Sequence, residues 1–191
     1  MRYAKFDENK ALAAILLVIR QLQAKAPEKR ADLYKLLKVL YFADRKHLSK
    51  YNRTIAGDHY VAMADGPVPS RVYDMLKSIR GDGDYLSKSK AFAIKLADSI
   101  EFDTHKTIVP RSNPDLDELS ETDVECLTEA IEEYKNFSFP QLKRASHDAA
   151  YDKADEDNCI AFEDIAAAGG ADSRKIGFVQ NWLENENFPA R

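Results

Sequence analysis

The sequence predicts a mainly helical α+β fold, a single domain of six to seven helices with one small antiparallel β-sheet. Apolar residues recur at helical spacing over most of the chain, whereas short stretches near residues 60 and 100 alternate in the manner of strands. The length of 191 residues and the apolar fraction of 45% suit one domain that buries a real core.

The first half of the chain is predicted to hold three helices and one strand. Leu36, Leu37, Leu40 and Tyr41 form the buried stripe of the second helix, and lysines and arginines near its end suit the negative end of a helix dipole. The predicted elements are a helix from Asp7 to about Lys25 that Pro27 ends, a helix from Asp32 to about Ser49, a strand from Tyr60 to Ala64 and a helix from Ser70 to Ile79.

Between that strand and the third helix lies Gly66-Pro67-Val68-Pro69. Gly66 tolerates a positive φ, and each proline fixes its own φ and restricts the residue before it. Pro69 also suits the first turn of a helix. We therefore predict a rigid corner that stops the strand and starts the helix, with a rigid surface motif for a partner as the alternative.

The second half is predicted to begin with β structure over residues 91 to 109, because Phe92, Ile94 and Leu96 alternate. Ile100 with Phe102, and Ile108 with Val109, continue the pattern, with turns at Asp98-Ser99 and Asp103-Thr104. Four helices follow. They are a helix capped by the box Ser120 to Asp123 and ending near Tyr134, a helix capped by Ser138 that holds Leu142 and His147, a helix from Phe162 to Ala168, and a C-terminal helix over 172–187 capped by Asp172.

Charge and composition argue against several classes of protein. A net charge of −4 argues against nucleic-acid binding, and the basic stripe at Arg20, Lys25, Lys29 and Arg30 is interpreted as a solvated face. The two cysteines are too few for a disulfide framework and predict reduced thiols. The apolar run near the N-terminus is too short to span a membrane and is interpreted as a core helix, so we expect a cytoplasmic protein with no membrane partner.

No catalytic or metal-binding pattern emerges from the residues. The four histidines lack the i, i+4 spacing of a helical metal site, and the Gly66 corner is neither a phosphate loop nor a nucleophile elbow. Asp44, Asp58 and Asp65 could gather around a cation, although single aspartates at caps and turns are commoner. We predict no catalytic, cofactor or metal site, with a metal-dependent hydrolase as the less favoured alternative.

Four segments together resemble a known family. They are KLLKVLYFADRKHL at 35–48, AGDHYVAMADGPVPSRVYDMLK at 56–77, LSETD at 119–123 and LKRASHDAAYDKA at 142–154. Their order is similar to the Panacea domain, the SocA-like antitoxin domain, over about residues 10–170 of a single domain 1–191. Tyr151 stands where many relatives carry tryptophan, which keeps an aromatic ring.

The resemblance implies an antitoxin of a bacterial or phage toxin–antitoxin system that neutralises a protein toxin, encoded by an adjacent gene, through direct contact. One branch of the family also implies a proteolytic adaptor that delivers the toxin to a cytosolic ATP-dependent protease. A phage-associated protein that binds a host protein is a further alternative. The family implies no enzymatic activity and no cofactor.

The family motifs also supply candidate site residues. Tyr41, Tyr60, Arg71 and Tyr73 are of the types that anchor interfaces, and Arg71 and Asp74 are expected to face outward. Tyr41 is expected in the core and Tyr60 to be partly so. Asp44, Asp58 and His147 are interpreted as a polar network that joins the second helix to the strand and turn, and Gly66, Pro67 and Pro69 as the corner.

Overall fold

The structure is a computed structural model that describes residues 4–25, 31–83, 85, 87 and 89–186. Those residues form nine α-helices, one short 3₁₀ helix and six strands. The helices are α1 (Glu8–Lys25), α2 (Leu33–Tyr51), α3 (Ser70–Arg80), α4 (Lys90–Ser99), the 3₁₀ helix Leu116–Glu118, α5 (Glu121–Tyr134), α6 (Phe139–Ser146), α7 (Ala149–Lys153), α8 (Phe162–Ala168) and α9 (Ser173–Glu186).

The strands form two small antiparallel sheets within the described ranges. They are β1 (Ala31–Asp32), β2 (Tyr60–Met63), β3 (Gly66–Pro69), β4 (Ile100–Phe102), β5 (Thr107–Pro110) and β6 (Cys159–Ile160). One sheet has the order β1-β5-β4 and the other β3-β2-β6. The predicted mainly helical α+β class is confirmed, with two sheets where the sequence predicted one.

Helix α2 is the centre of the core. Asp32 caps its first turn by accepting a hydrogen bond from the Lys35 amide at 3.1 Å, and Asn52 ends it in the left-handed conformation. Its side chains are buried on nearly every face, since α1, α5, α6, α8, α9 and β3 all pack against it. A helix enclosed in this way buries its polar side chains too, and these build the site described below.

Several predicted helix ends are confirmed. The Asp7 carboxylate accepts from the Lys10 amide at 3.1 Å in the first turn of α1, and Ser120 with Asp123 forms the predicted capping box of α5. Helix α6 ends at Ser146, so His147 is its C-terminal cap rather than an interior residue. Pro27, Lys29 and Arg30 of the predicted helix end and basic stripe lie outside the described residues, as does residue 187 of the predicted C-terminal helix.

The prediction of a strand over residues 91 to 96 is wrong, because these residues form α4. Phe92 and Leu96 are buried four residues apart, while Ile94 between them is 63% exposed. Ser89 caps the helix by accepting from the Phe92 amide. Alternation of all three apolar residues fits a strand, whereas Phe92 and Leu96 alone, four residues apart, also fit one helix face. The alanines at 91, 93 and 97 favour the helix. The turn predicted at Asp98-Ser99 is the last turn of this helix.

The corner at Gly66–Pro69 is itself a strand, which the sequence did not predict. Strand β3 pairs with β2, with Met63 opposite Gly66 and Tyr60 opposite Pro69. The chain reverses at Ala64 and Asp65, where the structure has its turn. Two prolines fit this strand because β3 lies at the edge of its sheet, where missing amide donors leave no neighbour unpaired. Helix α3 then begins at Ser70 as predicted.

Candidate functional site

Two segments that are distant in sequence, α2 and α7, meet at the β2–β3 hairpin. From α2, the Lys38 ammonium donates a hydrogen bond to the Pro67 carbonyl oxygen at 2.8 Å. From α7, the Tyr151 hydroxyl donates to the Met63 carbonyl oxygen at 3.0 Å. The hairpin is thereby held from both sides through its backbone, and Tyr151 shows why an aromatic ring with a polar end suits this position.

Gly66 allows this close approach. Its φ is +97°, and a Cβ placed on it would lie 2.5 Å from Ser146 Oγ, 3.1 Å from Lys38 Nζ and 3.2 Å from His147 Cδ2. The glycine is therefore required twice, for its backbone conformation and for the space above it.

Tyr41 and Asp148 join α2 to α7. The Tyr41 hydroxyl donates to Asp148 Oδ2 at 2.8 Å, and the Arg45 guanidinium contacts the same oxygen at 2.6 Å. Asp148 also caps α7 by accepting from the Ala150 and Tyr151 amides. Burial, reinforced by the Asp148 carboxylate, raises the pKa of Tyr41, so its hydroxyl stays a donor. Tyr41 is fully buried and binds within the scaffold.

Asp44 and Tyr60 join α2 to the hairpin. The Tyr60 hydroxyl donates to Asp44 Oδ2 at 2.7 Å, and the Ile55 amide donates to Asp44 Oδ1 at 2.6 Å. Burial raises the pKa of Asp44 against the lowering effect of these two donors. Tyr60, which the sequence placed only partly in the core, is 1% exposed.

Asp58, in the loop before β2, caps the first turn of α3. Helix α3 follows Pro69, which has no capping side chain, and the Asp58 carboxylate accepts instead from the Arg71 amide at 3.0 Å and the Val72 amide at 2.9 Å. The His59 amide donates to it as well, at 2.8 Å. Burial raises the pKa of Asp58 to about 7, against three amide donors that lower it.

His147 lies beside the hairpin without joining the hydrogen-bond network. Its ring stacks on Tyr151 at 4.0 Å between centroids, and its buried Nε2 has no hydrogen-bond partner among the residues that the structure describes. Burial, followed by the ammonium groups of Lys143 and Lys38, lowers the pKa of His147. The network predicted for Asp44, Asp58 and His147 thus consists of separate contacts, and His147 contributes packing.

Sequence reasoning missed Lys38, which stands in the first family segment. The residue is 1% exposed, and burial lowers the pKa of its ammonium to about 7, opposed by the Asp65 carboxylate and assisted by Lys143. Helical spacing offered a signal, because Lys38 lies three residues before Tyr41 and four after Tyr34, on one face of α2.

A groove of about 860 Å³ opens beside the hairpin. Its walls come from the start of α2, from the hairpin, from α3, from the β4–β5 loop and from the α5–α6 connection. Of the candidate interface residues, Tyr73 lines the groove. Arg71 is exposed on another side of α3, over the Phe6 ring at 5.6 Å, and Asp74 pairs with Lys77 at 2.7 Å.

The carboxylates considered for a cation are engaged in other contacts. Asp44 and Asp58 accept the backbone and hydroxyl donors given above, and Asp65 pairs with Lys143 at 2.8 Å. Among the residues that the structure describes, no three His, Cys, Asp or Glu side chains gather as metal ligands would. In the same residues, no helix combines the length and apolar character that crossing a membrane requires.

Comparison with known proteins identifies the family. The family model described as "Antitoxin SocA-like, Panacea domain" matches residues 36–151, which is more than half of the chain. The chain therefore belongs to this family of antitoxin-like domains, as the motifs predicted. No curated protein and no solved structure matches the chain significantly.

The matched range begins within α2, contains the hairpin and ends within α7, whereas strand β6, which pairs with β2, lies beyond it. Membership supports an antitoxin-like role with a protein partner and favours a role without catalysis.

Proposed function

We propose that the protein is an antitoxin that neutralises a protein toxin, encoded by an adjacent gene, through direct contact in the cytoplasm. The observation that carries this proposal is that the side chains of the family motif contact the protein's own scaffold. Tyr41, Asp44, Asp58 and Tyr60 are all nearly or fully buried and bind within the scaffold. The family motif therefore encodes a rigid shape, which suits recognition of another protein.

The proposal includes a single domain over residues 1–191 that transforms no substrate and binds no cofactor. Its support is chemical: the buried carboxylates serve as acceptors for amide and hydroxyl donors, and a carboxylate in that role holds backbone in place. A hydrolase would need such groups directed at a substrate.

Coexpression tests the proposal. The neighbouring gene is induced alone and together with this gene, and growth is followed. We expect arrest with the neighbour alone and recovery with both. Growth that continues with the neighbour alone, or arrest that this protein does not relieve, would contradict the proposal.

Direct binding and adaptor action differ in what happens to the toxin. Direct neutralisation leaves the toxin intact in a stable complex, so its half-life is the same with and without the ATP-dependent protease. If the toxin disappears only in cells that have the protease, the protein acts as an adaptor.

A further inference from the structure

A small cavity lies in the buried interior, between α1, α2, the loop before β2 and the start of α3. Its volume is about 20 Å³, which is room for one water molecule and no more. All the residues that line it are buried, and most of them are aliphatic. The exceptions are Asp44, Asp58 and Tyr60. The cavity therefore places three polar side chains around a space of the size of one water molecule.

Small side chains of α1 leave this space open. Ala11 and Ala14 both line the cavity, and they lie three residues apart, so they share one face of the helix. A larger side chain at either position would enter the space beside Asp44 and Asp58. The sequence thus sets two alanines of one helix against two buried acids of other segments.

The two carboxylates have more acceptor positions than they have donors. Asp44 accepts from the Ile55 amide and the Tyr60 hydroxyl, and Asp58 accepts from three backbone amides. These donors occupy five of the about eight acceptor positions that two carboxylates have. The aliphatic side chains of the cavity wall offer no donor, whereas a water molecule offers two. One water molecule therefore suits the remaining positions of both carboxylates.

Two negative charges beside this cavity would repel each other where little solvent screens them. Within the described part of the chain, no lysine or arginine lies within ion-pair distance of either carboxylate, and the His59 ring is 3.6 Å from Asp58 Oδ1. Burial raises the pKa of both carboxyl groups, that of Asp58 to about 7, and the charge of Asp44 adds to the rise at Asp58. A proton held by the pair would remove one of the two charges.

We propose that the cavity binds one water molecule, which donates a hydrogen bond to Asp44 and another to Asp58, and that the two carboxylates share a single proton at neutral pH. The proton comes from solvent and returns to solvent when the pair ionises fully. Because Asp58 caps α3 and Asp44 holds Tyr60 and the Ile55 amide, the pair links α2 to both the hairpin and α3. The inference concerns the scaffold and does not depend on the identity of the protein partner.

Several other ionisable groups face the pair, and they are His47, His59, Tyr60, Tyr85 and Asp123. Burial lowers the pKa of His59 and raises the pKa of both tyrosines, so these three side chains are uncharged near pH 7. His47 and Asp123, at 3.0 Å from each other, act on the pKa of Asp44 in opposite directions and less than burial does. From α1, the cavity is lined by alanines.

The shared proton is tested by NMR titration of the carboxyl carbons of Asp44 and Asp58 in the full chain, between about pH 4 and about pH 9. In the wild-type protein each carbon should titrate in two steps, because sharing a proton couples the two groups. Asp44→Asn removes one charge, and the Tyr60 hydroxyl can then donate to the Leu40 carbonyl oxygen at 3.1 Å. Asp58 should now titrate in one step, about one pH unit or more below the upper step of the wild-type protein.

Asp74→Asn is the matched control, because it removes a partly exposed carboxylate of α3 and should leave both steps of Asp58 in place. A single Asp58 step in the wild-type protein, at the same pH as in Asp44→Asn, would overturn the shared proton. An equal change in Asp44→Asn and Asp74→Asn would overturn it too. The wild-type titration decides even if Asp44→Asn does not fold.

The water molecule is tested by a crystal structure of the wild-type protein at a resolution that shows interior water. We expect one density peak within about 3.2 Å of an oxygen atom of Asp44 and of Asp58. A cavity without density would contradict the proposal. A peak with six or more oxygen neighbours at about 2.4 Å would be a metal ion, and the proposal would fail likewise.

Discussion

The Asp58 carboxylate accepts a hydrogen bond from the Val72 amide at 2.9 Å, fourteen residues further along the chain. With the neighbouring Arg71 amide it satisfies two donors of the first turn of α3, which Pro69 cannot cap. The loop before β2 is thereby tied to the helix after β3. A proline directly before α3 is therefore compatible with a capped helix only because Asp58, which precedes the hairpin, supplies the cap.

Asp58→Ala should destabilise the protein by about 3 kcal/mol, because it leaves three amide donors in a buried place without an acceptor. The measurement is the free energy of unfolding in urea. Asp74→Ala is the control, since it removes a partly exposed aspartate from α3 that pairs with Lys77 on the helix surface. The control should change stability by less than about 0.5 kcal/mol. Similar losses for the two variants would contradict the capping role of Asp58.

Gly66→Ala should cost about 3 kcal/mol or more, because the new methyl group meets Ser146 Oγ at 2.5 Å and the backbone has a φ of +97°. Gly81→Ala isolates the backbone contribution, since Gly81 has a φ of +83° and no atom of the described residues lies within 4 Å of the added Cβ. The control should cost about 1 kcal/mol. Thermal unfolding of both variants makes the comparison, and equal losses would mean that the hairpin moves away from α6 without penalty.

Tyr60→Phe should destabilise the fold by about 2 kcal/mol. The change removes the donor that satisfies Asp44 Oδ2 and leaves a buried carboxyl oxygen unpaired. Tyr73→Phe removes a hydroxyl from a half-buried ring of the groove and should be nearly neutral. Urea unfolding of both variants tests this. A neutral Tyr60→Phe would show that another donor reaches Asp44.

The fold class and most helices could be predicted because helical spacing and caps are local signals. The capping box at Ser120 and the role of Gly66 could each be predicted from residues adjacent in the sequence. Helix α4 was missed because the local signal is ambiguous there: Phe92 and Leu96 fit both a strand and a helix, and Ile94 between them suggested the strand. Burial of Phe92 and Leu96 together with exposure of Ile94 decides for the helix.

The site could be predicted only in part because its contacts are long-range. The family segments named Asp44, Asp58 and Tyr41, but the partner of Tyr41 lies 107 residues away, and no periodicity points to it. The groove combines side chains from five parts of the chain, so no local pattern in the sequence indicated it. Lys38 shares a helix face with Tyr34 and Tyr41, which was a weak signal. It was overlooked because lysines usually lie at the surface.

The last prediction concerns pH and the buried Lys38. Its pKa is about 7 in the folded protein, against 10.5 as the ordinary value. Between these values the unfolded chain binds a proton that the folded chain does not, so stability should rise with pH by up to about 1.4 kcal/mol per pH unit. Lys38→Met removes this group, and the free energy of unfolding of the variant should not show this rise with pH. Urea unfolding between about pH 7.5 and about pH 9.5 measures the difference in slope.

Tyr34 and His147, two ionisable side chains near Lys38, do not produce the same slope. Burial raises the pKa of Tyr34 to about 12, and burial with nearby ammonium groups lowers that of His147, so both titrate outside the chosen interval. Lys90→Met provides the control, because it removes an exposed lysine from α4 and should keep the slope of the wild-type protein. If Lys38→Met retains that slope as well, the Lys38 ammonium stays charged beside the Pro67 carbonyl oxygen throughout this interval.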